Sequence, residues 1–113
     1  MDDAKKVAFN LSQLMMMELH RLLQRTHNHY LNCEWTKCFH TLRCIKFNVI
    51  QNLTEDERKQ LKEIELKTNL RAHSREGLEE LRISTERYHE MIMDILEAHG
   101  YLVKEREDHK RMF

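Results

Sequence analysis

The residues best suited to chemistry crowd into one window, 27–44, which holds His27, His29 and His40 together with all three cysteines, Cys33, Cys38 and Cys44. Imidazole and thiolate are the ligand types zinc favours. On a continuous helix His29, Cys33, His40 and Cys44 fall within about 60° of one another, on the side opposite Leu31 and Trp35. Length works against a single site. His29 and Cys44 are fifteen positions apart, about 22 Å at the helical rise, so one straight helix cannot wrap all four around an ion. Each i,i+4 pair offers half a site, and only a symmetric partner helix would complete a Cys2His2 set. The simpler expectation is that no metal binds and that Cys33 and Cys44 pack as small hydrophobes beside Phe47. Zinc is the alternative cofactor, and a metal-binding or metal-sensing helical bundle is the alternative function.

Other constellations are weaker. Glu86 and His89 have the Glu-x-x-His spacing of di-iron bundles, but such a site needs a second copy of the motif and carboxylates aimed into the core. Glu86 points away from the apolar stripe, and Glu18, on the apolar side of its own helix, stands alone. An arginine partner or a subunit boundary explains Glu18 better than ligation. The string His27-Asn28-His29 spells a nuclease motif without the strand-turn-helix cradle that gives it meaning. There is no glycine elbow, no phosphate-cradling loop and no nucleophile next to an evident base. A non-catalytic protein is expected.

The elements that must carry these residues are helices. The 113 residues include no proline and only Gly77 and Gly100 as glycines, so the usual punctuation of strands and hairpins is missing. Leu, Met, Glu, Lys, Arg and Gln, which lose little on entering a helix, make up the difference. At 41% hydrophobic and 34% charged residues, the composition fits a folded helical domain rather than a disordered chain. The expected architecture is all-α: a three- or four-helix antiparallel bundle occupying residues 1–103, followed by a charged, frayed tail over 104–113.

A first helix is expected from an Asp2 or Asp3 cap to about Arg25. Ala8, Leu11, Met15, Leu19 and Leu22 make its stripe; Val7 and Leu14 widen it on one side, and Phe9, Met16 and Leu23 on the other. The Met15-Met16-Met17 run reads as core filler. Residues 26–30 are either a break or more helix. Leu31, Trp35, Cys38, Leu42, Ile45 and Val49 then step by four and three, a heptad seam on a second helix ending near Gln51. Thr54 and Glu57 spell a capping box, so a third, largely solvated helix begins at Glu55, with Leu61, Ile64, Thr68 and Ala72 as a thin apolar stripe. Ser74 either caps a new helix or lies within a longer one that tolerates Gly77. A second seam runs through Leu78, Leu81, Thr85, Tyr88, Ile92, Ile95, His99 and Leu102, and Gly100 suits a left-handed cap with Tyr101 folding back. The predicted core is Leu31, Trp35, Leu42, Ile45, Tyr88, Ile92 and Ile95.

What remains after the core is filled is a surplus of apolar surface. The first helix is apolar around more than half its circumference, and the second has two semi-apolar faces. Phe9, Met16, Leu23, Cys33, His40, Cys44 and Phe47 are therefore the expected partner or oligomer interface. The leading expectation is a non-catalytic protein–protein interaction module, an adaptor, regulator or inhibitor, that forms a homodimer or higher oligomer and binds a further protein. Nineteen basic and nineteen acidic residues give no net charge, which sets no repulsive barrier to self-association. The same balance places a small helical nucleic-acid regulator third, because such binders draw affinity from a basic excess. The apolar stretch over 7–17 is broken by Asn10, Ser12 and Gln13 and has no cleavage signal after it. No segment is fit to span a bilayer. An odd number of cysteines forms no closed disulfide framework, so a cytoplasmic protein with reduced thiols is expected.

Overall fold

In the computed structural model the described residues form four helices: α1 (Asp3–Leu31), α2 (Trp35–Asn48), α3 (Glu55–Lys67) and α4 (Arg75–Ala98). Residues 3–101 are described, with side chains from residue 13 onward. Among the described residues there is no strand, and no helix is long and apolar enough to cross a membrane. The Phe9 side chain, Leu102 and the 104–113 tail lie outside the described residues.

Residues 26–30 do not interrupt α1. Thr26 is fully buried, yet its hydroxyl donates to the Leu22 carbonyl one turn back at 2.8 Å, so its polarity is satisfied inside the helix. The helix stops instead at Leu31. Cys33 adopts a left-handed conformation (φ 56°); its N–H bonds the Tyr30 carbonyl at 3.0 Å, and the Glu34 N–H bonds the His29 carbonyl at 2.8 Å. This pair of bonds is a Schellman stop, built on a cysteine where glycine is usual. The second helix therefore starts at Trp35, several residues later than the seam suggested. Leu31, expected in the core, is 62% exposed, because it belongs to the end of α1 and not to the inner face of α2.

The ends of α3 and α4 are written in local chemistry. The Glu57 N–H donates to Thr54 Oγ1 at 3.1 Å, and the Thr54 N–H donates back to Glu57 Oε1 at 2.9 Å, so the capping box is complete. Thr68, at the far end, already leaves the helix with extended angles; Ala72 is thus not on α3 at all. Ser74 caps α4, its Oγ accepting from the Gly77 N–H at 3.0 Å. A Cβ on Gly77 would come within 2.9 Å of that oxygen and 3.0 Å of the Ala72 Cβ, so the glycine is there for space. Gly100 (φ 82°) ends α4, with the Tyr101 N–H reaching the Leu96 carbonyl at 2.8 Å.

The second helix packs against both α1 and α4. The Cys38 thiol bonds the Thr26 carbonyl and Gln51 reaches Met15, which sets α2 antiparallel to α1. Phe39 stacks on Tyr88, and the Tyr101 hydroxyl donates to the Val49 carbonyl, so α4 runs alongside α2 in the same sense. One core results. It contains Leu19, Leu22 and Leu23 of α1, Cys38, Phe39, Leu42 and Ile45 of α2, Leu61 and Ile64 of α3, and Tyr88, Ile92, Met93, Ile95 and Leu96 of α4. Leu42, Ile45, Tyr88, Ile92 and Ile95 are buried as expected, whereas Trp35 is half-buried against Tyr30 and Leu78 is exposed.

Candidate interaction surface

The four metal-type residues singled out in the sequence do not share a helix face. His29 lies on α1, Cys33 in the turn, and His40 and Cys44 on α2; the α1 stop breaks the periodicity that would have aligned them. His29 is committed elsewhere. Its Nδ1 lies 3.1 Å from Glu34 Oε1, while Lys37 donates to the other Glu34 oxygen at 2.9 Å. These contacts, from Lys37 first and His29 second, hold the Glu34 carboxyl below its ordinary range. No group of three or more His, Cys, Asp or Glu side chains is placed to hold an ion among the described residues.

Near that turn lies an open cleft of about 270 Å³ between α2 and the start of α4, lined by Cys33, Glu34, Trp35, Lys37, Leu78 and Leu81. Its floor is apolar, and its charged rim is the Glu34–Lys37 pair already described. Cys38, by contrast, is sealed in the core, where burial pushes its thiol up to about 12.

Of the expected interface residues, His40, Cys44 and Phe47 are exposed and recur three and four apart along the outer side of α2. Phe47 is 66% exposed, and its ring is flanked by the Lys46 ammonium at 4.9 Å and the Arg43 guanidinium at 5.8 Å from the centroid. Neither cation is free: Lys46 donates to Glu65 Oε2 at 2.7 Å, and Arg43 Nε lies 3.9 Å from Glu65 Oε1. Met16 is partly exposed. Leu23 is only 2% exposed and is part of the core, not of the interface. Cys33 is exposed but belongs to the turn end of the hairpin, away from Phe47.

Two residues not expected on the surface are exposed on α1. Leu14 and Met17 are 59% and 67% exposed. The antiparallel register puts Met17 level with the last turn of α2. Sequence pattern alone reads both as core, but the buried side of α1 is the one carrying Leu19, Leu22, Leu23 and Thr26, and Met17 lies opposite it. Between them and Cys44, Glu18 and Arg21 form a forked ion pair at 2.6 and 3.0 Å. Glu18 thus meets its partner on its own helix.

A second set of polar contacts ties α3 to the other helices. Tyr88 and Lys46 both donate to Glu65 Oε2 at 2.7 Å. Burial raises the Tyr88 phenol, and the Glu65 carboxylate adds to that shift. At the opposite end His99 Nε2 lies 2.9 and 3.2 Å from the two Glu57 oxygens. Burial would raise the Glu57 carboxyl, but the Thr54 amide and His99 together outweigh it and hold the group below its ordinary value. Comparison with protein families, with curated proteins and with solved structures finds no match to this chain.

Proposed function

We propose that this chain is a non-catalytic protein–protein interaction module, an adaptor, regulator or inhibitor, that docks through apolar helix faces of α1 and α2 and associates with a second copy of itself. The observation that carries this reading is the exposure of Leu14, Met17 and Phe47, each with more than half of its surface open, on one antiparallel helix pair. Single exposed apolar residues need no explanation, whereas several on adjacent helices mark contact surfaces. Their chemistry suits helix-in-groove docking, in which large flexible or aromatic side chains anchor the partner. The absence of net charge lets two copies approach without repulsion.

The test is the mass of the purified chain by light scattering at micromolar concentration, with Met17→Ser and Phe47→Ser beside the parent. Self-association predicts more than one chain's mass for the parent and a lower mass for the variants, with unchanged helicity. A single-chain mass for the parent removes the homo-oligomer. A parent assembly that both variants leave intact removes this face as its cause.

A further inference from the structure

The third helix carries little apolar anchorage: only Leu61 and Ile64 are buried on it, against six buried hydrophobic residues on α4 and four on α2. Its remaining hold is electrostatic and sits at its two ends, Glu57 on His99 and Glu65 on Lys46 and Tyr88. Tyr88, Ile92, Ile95 and His99 recur at i, i+4, i+7 and i+11, one stripe of α4. Glu57, Leu61 and Ile64, with Glu65 beside them, are the matching stripe of α3. The two end contacts fix an antiparallel register that brings Leu61 level with Ile95 and Ile64 level with Ile92. Two isoleucines bounded by a histidine at one end and by a phenol, Lys46 and Arg43 at the other thus meet two aliphatic residues bounded by carboxylates.

We propose that α3 is a self-supplied occupant of a docking groove on α2 and α4: it lifts away, and an acidic amphipathic helix of a partner protein takes its place. Charge complementarity names the occupant. The groove offers Lys46, Arg43, His99 and the Tyr88 hydroxyl around an apolar floor, so a helix with aliphatic residues at i and i+3 and carboxylates at i−4 and i+4 reproduces what α3 supplies. The connections over 49–54 and 68–74 flank α3 with non-helical chain. The second is pinned beyond the hinge, where the Thr36 hydroxyl donates to the Leu70 carbonyl at 2.9 Å, so α3 can swing while α4 stays docked. An element with few buried apolar contacts opens below the global unfolding free energy. This inference rests on the chain being a docking module, but its groove lies on the α2/α4 side, which adjoins the α1/α2 surface at Lys46 and Arg43 beside Phe47.

Two measurements on the full chain test it. Hydrogen exchange should show the α3 amides opening at least about tenfold more often than the core amides of α2 and α4. A fluorescent peptide of residues 53–70 should bind the Glu57→Gln/Glu65→Gln double variant at least about tenfold more tightly than the parent, whose own α3 competes. The same peptide with both carboxylates replaced by Gln should bind neither protein. Exchange of α3 as slow as that of the α2 and α4 core overturns the lifting, on the parent protein and whatever the variant's stability. Binding to neither protein, or equally to both, overturns the groove. Neither readout depends on Met17 or Phe47, so a failure here is distinguishable from a failure of self-association through α1/α2.

Discussion

Replacing Cys33 by glycine should stabilise this protein. The residue holds φ at 56° in the stop that ends α1, a conformation that costs a side-chain-bearing residue roughly 1–2 kcal/mol. Glycine removes that cost but adds freedom to the unfolded chain, which offsets roughly 0.5–1 kcal/mol. The Cys33 side chain is exposed, so its loss opens no cavity, and the backbone bonds to Tyr30 and His29 involve no side chain. A net gain of about 0.5–1 kcal/mol remains, or about 2–4 °C in the midpoint for a domain of this size. Urea unfolding in reductant, followed by the fluorescence of nearby Trp35, reads it directly, with the denaturant slope unchanged. Cys33→Ala is the control: alanine keeps the unfavourable angle and should stay within about 0.5 kcal/mol of the parent. A glycine variant no more stable than the alanine variant would refute the strain argument.

Three further outcomes are expected. Ile92→Ala and Leu42→Ala, at fully buried positions, should each destabilise by about 2–5 kcal/mol, whereas exposed Leu31→Ala should change stability by less than about 0.5 kcal/mol; equal effects at Leu31 and Ile92 would contradict the placement of the α1 stop. Thr54→Ala should cost about 0.5–2 kcal/mol in the same urea assay through loss of the cap on Glu57, and no loss would mean the box contributes nothing. Glu57, held below its ordinary value chiefly against burial by Thr54 and His99, binds fewer protons folded than unfolded. Its contribution is therefore complete above the ordinary glutamate value of about 4.3 and is lost as pH falls through the lower folded value. Glu57→Gln should be less stable than the parent at pH 7 and approach it on acidification, and a constant difference down to pH 3 would argue against the linkage.

Much of the fold was legible because its signals are local. The Thr54–Glu57 box, the Gly100 stop and the Tyr88/Ile92/Ile95 stripe each follow from a few neighbouring residues and hold in the structure. The α1 end was not legible, for two reasons. Its left-handed residue is a cysteine, which carries none of glycine's signal, and the short turn happens to preserve the three–four count from Leu31 to Trp35 and Cys38. Periodicity therefore ran straight across a chain reversal and joined His29 and Cys33 to His40 and Cys44. Phe39 escaped notice because it flanks the seam and turns toward Tyr88 of α4, a contact between residues far apart in sequence. His40, Cys44 and Phe47 could be read from α2 alone, but Leu14 and Met17 depend on which side of the wide α1 arc the rest of the protein covers.

The three thiols make the molecule its own unfolding clock. Cys33 and Cys44 face solvent, while Cys38 is fully enclosed with its thiol pushed up to about 12. About 14 Å of helix rise separates the start of α2 from Cys44, too far for the turn cysteine to reach it in an intramolecular bridge. A thiol reagent added to the native protein should thus take up two equivalents promptly and the third only when the α1/α2 interface parts. Mass spectrometry of the triply labelled fraction over time would then count openings of the core, with no mutation and no attached probe.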